Sequence, residues 1–273
     1  MEIWHRITFH SSEDVETIIQ SLGVKTKRGP LPGGSYLIYI DIEESDPGWP
    51  TVSALVREKK APDMHDTIFT DQEVLAAEWV RLMAVFTQGY PQPKGKWKEV
   101  TFDNLCTKCR KELKQKIPFH LAKEPHLGKH DFFSVYWSFN IFCTPRVLEA
   151  LKENNIRGYE VWPAIIHRTN EPSRIVSQLI FPHVAGPALA DEDKVQPEVC
   201  PKCGLIEYAY NKRGYLHFKR DGLRQDTDCQ LTYEWFGSGG AVPLRETLIS
   251  NRFARLIIDN GWKGVRLKPV KLI

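Results

Sequence analysis

Alternating apolar and polar positions at the start of the chain predict a strand, and a helical pattern follows it. Residues 3–9 alternate in the way typical of a strand with one buried face. Residues 11–22 carry apolar side chains at helical spacing behind a serine cap, and Gly23 ends the predicted helix. A second strand is predicted at residues 36–41. Residues 51–56 fit another extended segment or a short helix.

A capping box at Thr70-Asp-Gln-Glu73 predicts the start of the next helix, because hydroxyl and carboxylate satisfy each other's backbone donors. We expect this helix to run to about residue 86. Residues 89–95, with two prolines between two glycines, are typical of a linker. The sequence therefore predicts an N-terminal α+β lobe at residues 1–95 and a second domain at residues 96–273.

The second domain begins with strand-forming and loop-forming segments. Residues 132–143 are aromatic and rich in strand formers, and residues 174–181 predict a strand with a polar face. Residues 185–196 predict a loop. Residues 216–240 are dense in acids, aromatics and glycines, which is typical either of a binding surface or of a hairpin with a glycine-rich turn.

A helix-then-strand pattern occurs twice in this domain. Residues 144–163 align without a gap on residues 250–269, so that Arg146 matches Arg252 and Gly158 matches Gly264. Each copy has a hydroxyl residue at the helix start, apolar residues at helical spacing, and a glycine before a short strand. We interpret the two copies as pseudo-repeats that cover residues 100–170 and 197–273 approximately.

A Cys-x-x-Cys pair precedes each copy, and these pairs are the strongest chemical signal in the chain. The pairs are Cys106/Cys109 and Cys200/Cys203. Two thiolates at this spacing can bind one metal ion, and a second pair completes the tetrahedron that zinc prefers. The sequence therefore predicts a structural Zn²⁺ site with these four metal ligands.

Two alternatives remain open at this point. Two separate sites could each be completed by a further residue, and His120, His126, His130, His217 and Cys229 are the candidates. The pairs could also be metal-free thiols, although neither lies in a thioredoxin-like context. Cys143 and Cys229 are left over when the four paired cysteines share one ion.

Composition and charge narrow the function classes. The net charge of +3 is too balanced to indicate an extensive nucleic-acid surface. No apolar run is long enough to predict a membrane span, and the start lacks a secretion signal. Paired cysteines in a chain of 273 residues fit a reducing compartment, so we expect a cytoplasmic protein without a membrane partner.

Motifs of known catalysts are missing from the sequence. It contains no His-Glu-x-x-His, no phosphate-binding Gly-Lys-Ser/Thr loop and no Gly-x-Ser-x-Gly elbow. A four-thiolate zinc site is also closed to an activated water. We therefore assign no catalytic residues and expect a protein that is not an enzyme.

Taken together, these patterns predict an α+β fold with mixed sheets, flanking helices and a zinc that joins the pseudo-repeats.

The segments Cys200-Pro-Lys-Cys-Gly204, 248–253 and 264–270 resemble those of the bacterial double-CxxCG motif proteins, which are related to immunity proteins of polymorphic toxin systems. The resemblance covers residues 100–273, and Arg110 stands where that pattern has glycine. It implies a protein that protects its cell by binding a cognate toxin.

We accordingly expect a zinc-binding immunity protein whose partner is a cognate protein toxin. Its predicted contact surface combines acidic and aromatic residues, because aromatic side chains commonly anchor interfaces; these residues are Asp226, Asp228, Glu234, Trp235 and Phe236. The alternative is a zinc-ribbon protein that binds or processes nucleic acid through Lys108, Arg110, Lys111 and the basic C-terminal strand.

Overall fold

The computed structural model describes residues 1–103, 105–111, 114–209, 213–237 and 242–273. These residues form two compact units. Unit 1 comprises Met1–Thr70 with Arg213 and Gly214, and unit 2 comprises the other described residues. No helix among the described residues is long and apolar enough to cross a membrane.

Unit 1 is one antiparallel sheet covered by two helices on one face. Its elements are β1 (Glu2–His10), α1 (Glu13–Ser21), β2 (Thr26–Pro30), a 3-10 turn (Pro32–Gly34), β3 (Tyr36–Glu43), α2 (Trp49–Lys59) and β4 (Asp63–Ile68). The strand order is β2-β3-β1-β4. Alternate side chains of β1 and β3, such as Ile7 and Ile40, are buried against Ile19 of α1 and Leu55 of α2. The predicted strands and the first helix are confirmed, and residues 51–56 lie in α2.

Unit 2 contains most of the chain. Its elements are α3 (Asp71–Ala76), β5 (Trp79–Ala84), β6 (Pro91–Gln92), α4 (Trp97–Thr101), β7 (Phe102–Asp103), β8 (Lys114–Gln115), β9 (His120–Leu121), β10 (Phe132–Phe133), β11 (Ile141–Cys143), α5 (Pro145–Glu153), β12 (Glu160–Ile166), β13 (Glu171–Ile180), β14 (Glu198–Val199), β15 (Ile206–Tyr208), β16 (Leu216–Phe218), β17 (Cys229–Leu231), β18 (Trp235–Phe236), β19 (Thr247–Ser250), α6 (Asn251–Asp259) and β20 (Val265–Leu272), with 3-10 turns at Asp191–Asp193 and Arg220–Gly222. The mixture of sheets and separate helices is the predicted α+β class.

Two sheets of unit 2 repeat the same arrangement. One has the order β10-β11-β13-β12-β9-β6, and the other has the order β17-β19-β5-β20-β16. In each sheet, two strands joined by a helix lie on either side of a central antiparallel strand. The second of these two strands also pairs in parallel with a further strand, which is β9 in the first sheet and β16 in the second. The joining helices are α5 and α6, which belong to the two copies aligned in the sequence.

Two equivalent aspartates join the repeats by hydrogen bonds. Asp131 precedes β10 and accepts the backbone N–H of Lys263 at 3.0 Å, while it pairs with the Arg146 side chain of its own repeat. Asp228 precedes β17 and accepts the backbone N–H of Arg157 at 3.0 Å. Each aspartate thus bonds the loop before the closing strand of the other repeat.

The repeat also explains why residues 79–84 form a strand. A helix was predicted from residue 70 to about 86, and this prediction is wrong beyond Ala76. Residues Trp79, Val80, Arg81 and Leu82 are all buried, because β5 lies at the centre of its sheet between β19 and β20. Tertiary pairing overrides the helical pattern here.

Because β5 belongs to this sheet, the residues from Asp71 onward lie in the same compact unit as the C-terminal half. The sequence places the boundary at residue 95, whereas the compact units divide after Thr70. In the first sheet the central strand, β13, follows β12 directly in the chain. In the second sheet the equivalent place is taken by β5, from upstream of both cysteine pairs.

The glycine-rich end of the segment at 216–240 has an antiparallel partner, because Phe236 pairs with Leu244 through backbone hydrogen bonds of 2.8 Å in both directions. Within the segment, β17 pairs with β19, and β18 pairs in parallel with β15. Residues 238–240 of the predicted glycine-rich turn lie outside the described residues.

Candidate metal centre

The two Cys-x-x-Cys pairs lie on turns with the same backbone hydrogen bonds. The carbonyl oxygen of Cys106 accepts the N–H of Arg110 at 2.8 Å, and that of Cys200 accepts the N–H of Gly204 at 2.9 Å. Arg110 and Gly204 both have a positive φ, of 59° and 68°. Such a φ suits glycine and strains other residues. Arg110 therefore occupies the glycine position of the first turn without changing its geometry.

These turns bring all four predicted sulfurs together. The Sγ atoms of Cys106 and Cys200 lie 3.8 Å apart, and those of Cys109 and Cys203 lie 3.6 Å apart. All four sulfurs are within 4.8 Å of one another, and none forms a disulfide. A tetrahedron with metal–sulfur bonds of about 2.3 Å has edges of about 3.8 Å. The cluster therefore has the dimensions of a four-thiolate metal site.

Backbone amides prepare two of the thiols to act as ligands. Hydrogen bonds from the N–H groups of Cys109 and Lys108 lower the pKa of Cys106 to about 6. The N–H groups of Cys203 and Lys202 likewise lower the pKa of Cys200, with that of Cys203 having the larger effect. Because a metal binds the thiolate, these bonds favour metal binding.

The Cys109 thiol behaves differently without a metal. Burial, followed by the neighbouring sulfurs, raises the pKa of Cys109 to about 12. A divalent cation among the four sulfurs would reverse this effect, since it stabilises every neighbouring thiolate.

Apolar side chains pack against the sulfurs, and two cationic groups lie near the ring of Trp235. Buried Leu205 and the ring of Trp235 pack against the cluster. The Lys111 ammonium lies 5.6 Å from the centroid of the Trp235 ring, and the Arg245 guanidinium lies 4.8 Å from it. Four thiolates around a divalent ion carry a net negative charge, and nearby cations offset it.

The remaining candidate ligands lie elsewhere. Cys143 and Cys229 are completely buried, and burial raises the pKa of both thiols. The His120 Nδ1 atom lies 3.3 Å from Nδ1 of His167, and His217 pairs with Asp193 at 3.0 Å. Within the described residues, the sulfur cluster consists of the four paired cysteines alone. This grouping favours one shared site over two separate ones.

Three of the five residues of the predicted contact surface are buried. Asp228, Glu234 and Phe236 are buried, and only Asp226 is exposed, with Trp235 between these extremes. Glu234 accepts the backbone N–H groups of residues 188 and 189, and Phe236 belongs to the core. Asp228, Glu234 and Phe236 are structural, because they satisfy backbone donors or fill the core.

A recess with a volume of about 510 Å³ lies beside the cluster, and we call it the Trp235 recess. Phe139, Trp162, Trp235 and Arg245 contribute to its wall. Phe139 is 56% exposed, and burial lowers the pKa of Arg245. The sequence pattern missed this site because its wall combines separate strands and loops, and no local motif marks them.

Neither the known protein-family models nor the curated proteins contain a match to this chain.

Proposed function

We propose that the four cysteines hold one Zn²⁺ ion with a structural role. Four thiolates in a tetrahedron select zinc or an iron–sulfur centre, and paired Cys-x-x-Cys turns are the usual structural zinc arrangement. The distances between the sulfurs support this assignment. The ion would cross-link residues 94 positions apart, so its binding free energy would stabilise unit 2.

We further propose that the protein is a cytoplasmic immunity protein that neutralises a cognate toxin by direct binding. The observation that carries this proposal is the closed thiolate cluster beside an open, aromatic recess. A zinc with four protein ligands has no position for an activated water, so the metal serves structure rather than catalysis. Unpaired thiols fit the reducing cytoplasm.

The Trp235 recess replaces the segment 226–236 as the proposed contact surface. It combines accessible aromatic side chains with the guanidinium of Arg245. Aromatic and arginine side chains dominate the binding energy of many interfaces. An acidic or aromatic segment of the toxin would complement this wall.

A growth assay tests the proposal. Proteins encoded by neighbouring genes are screened for one that arrests growth when it is expressed alone. That protein is then expressed together with this one, and complex formation is measured by calorimetry with both purified components. We expect growth to be restored and Phe139→Ser to weaken binding by about 30-fold, which corresponds to the loss of an interface anchor. The matched control is Tyr90→Ser, because Tyr90 is also an exposed aromatic residue of unit 2 but lies outside the recess.

Continued growth arrest without complex formation would contradict the immunity function. Equal loss in the two variants would contradict the recess as the contact surface.

Nucleic-acid binding is the second candidate, and the basic first turn favours it. Lys108, Arg110 and Lys111 lie on or next to the turn that holds Cys106 and Cys109. Phosphate contacts from these side chains would make the affinity fall steeply with salt. Binding of a labelled duplex or single strand that weakens with rising salt, and that disappears in Lys108→Ala/Lys111→Ala, would favour this candidate over the first.

A further inference from the structure

Unit 1 contains a second group of metal-ligating side chains, which has no part in the cysteine cluster. His5 and His65 are register partners on neighbouring strands β1 and β4, so their side chains lie on the same face of the sheet. Asp63 is two residues before His65 and shares that face. One ligand atom from each of the three residues lies within 4.8 Å of the others.

His5 is buried and held in place from three sides. Its side chain is 4% exposed, and its ring packs against Trp49 with 3.9 Å between the ring centroids and 31° between the ring planes. Nε2 lies 2.8 Å from Oε1 of Glu44, and Nδ1 lies 2.9 Å from both carboxylate oxygens of Asp63. The ring therefore has one orientation, with Nδ1 directed at Asp63.

The carboxylate of Glu44 is held by an ion pair with Arg213. Arg213 pairs with both carboxylate oxygens of Glu44, one of them at 2.8 Å from Nη2. This guanidinium, more than the hydrogen bond from His5, lowers the pKa of Glu44. The backbone N–H of Gly214 bonds Oγ1 of Thr67 in β4 at 2.8 Å, which anchors the Arg213 segment to the sheet.

This arrangement matches the support that proteins give to metal-binding histidines. A histidine ligand commonly donates its second ring N–H to a carboxylate, which fixes the ring and raises its basicity. With Glu44 accepting from Nε2, the Nδ1 lone pair of His5 is free for a metal that Asp63 and His65 also reach. Between two carboxylates, a neutral imidazole satisfies only one of them, so a cation or a second proton must lie on the Asp63 side.

We propose that His5, Asp63 and His65 form a binding site for a divalent transition-metal ion. Two imidazoles and one carboxylate suit Zn²⁺, Co²⁺ and Ni²⁺. Ligand bonds of about 2.1 Å in a tetrahedron place neighbouring ligand atoms about 3.4 Å apart. The His5–Asp63 pair opens by only about half an ångström to admit the ion. Three protein ligands leave a position for water or for a side chain of a bound protein.

Cobalt titration of the full chain tests this site. The protein is first loaded with zinc and passed over a chelating resin, so that zinc remains only at the four thiolates. We expect one further equivalent of Co²⁺ to bind, with a visible d–d spectrum and no thiolate charge-transfer band. The absence of that band distinguishes nitrogen and oxygen ligands from the cysteine cluster.

Conservative variants identify the ligands. We expect His65→Gln and Asp63→Asn to weaken cobalt binding at least tenfold, and Glu44→Gln to weaken it by about 10- to 100-fold. The matched control is His10→Gln, since His10 is exposed at the end of the same strand. Failure of the zinc-loaded protein to bind one equivalent of cobalt at millimolar concentration, or equal affinities in wild type and His65→Gln, would overturn the proposal.

Discussion

Replacing Gly264 by alanine should damage unit 2 far more than an ordinary glycine substitution. Gly264 has a φ of +101°, and a Cβ added there would lie 1.9 Å from the carbonyl oxygen of Phe132. That carbonyl belongs to the backbone, so the strand itself must move. Gly158, at the equivalent place in the other repeat, has a φ of +93° and is similarly enclosed.

The expected magnitude follows from the contacts. The positive φ costs an alanine about 1 kcal/mol. Displacing Phe132 also weakens the hydrogen bonds that tie residues 131 and 132 to Lys263, at 2.9, 3.0 and 3.0 Å. At about 1 kcal/mol for each bond, the total is about 4 kcal/mol. This is a large fraction of the stability of an ordinary domain, about 5–15 kcal/mol.

Urea unfolding of the metal-loaded protein measures this loss. Unfolding is followed by the tryptophan fluorescence of the protein, to which Trp262 contributes, and the ring of Trp262 contacts Phe132 with 5.9 Å between centroids. The matched control is Gly261→Ala, whose φ of +60° lies in the same region but whose added Cβ would meet open space. We expect the control to lose about 1 kcal/mol. Equal losses in the two variants would refute the close-approach argument.

Three further outcomes are expected. Arg110→Gly should stabilise the metal-loaded protein by roughly 0.5–1 kcal/mol, because it relieves a φ of 59°; a lower urea midpoint would contradict this. In native metal-free protein, iodoacetamide should modify Cys106, whose pKa the backbone amides lower to about 6, before Cys143 and Cys229, whose burial raises their pKa; mass spectrometry that finds either of these two modified first would count against it. Glu246→Ala should lower the free energy of unfolding by about 3–5 kcal/mol, since it removes the carboxylate that lies 2.7 Å from the buried Arg81. A free energy of unfolding close to that of the wild type would disprove this.

Local patterns predicted the elements whose ends are marked by caps or glycines. Gly23 ends α1 as expected, and Ser250 caps α6 by accepting the N–H of Phe253. Thr144, at the equivalent position of α5, makes no such bond. The cysteine cluster was also predictable, because ligand spacing within each pair is a property of one turn. That the two pairs, 94 positions apart, share one site followed from the pseudo-repeat.

Features that depend on strand pairing were not predictable in this way. The helical pattern after Thr70 gave no sign that β5 would occupy the centre of a sheet whose other strands come from the C-terminal half. The acidic and aromatic segment had the composition of a surface, yet Glu234 bonds buried backbone groups. His5 and His65 meet only through the register of β1 and β4, which no local spacing reveals.

The central claim, one structural zinc held by four thiolates, is tested most directly by the zinc content of the protein after passage over a chelating resin. We expect one zinc per chain in the wild type and in the control variants Cys143→Ala and His65→Gln. The Cys106→Ser/Cys200→Ser variant should retain none, because it loses one ligand from each turn. A folded wild type without zinc, or a double variant that keeps its zinc, would contradict the account.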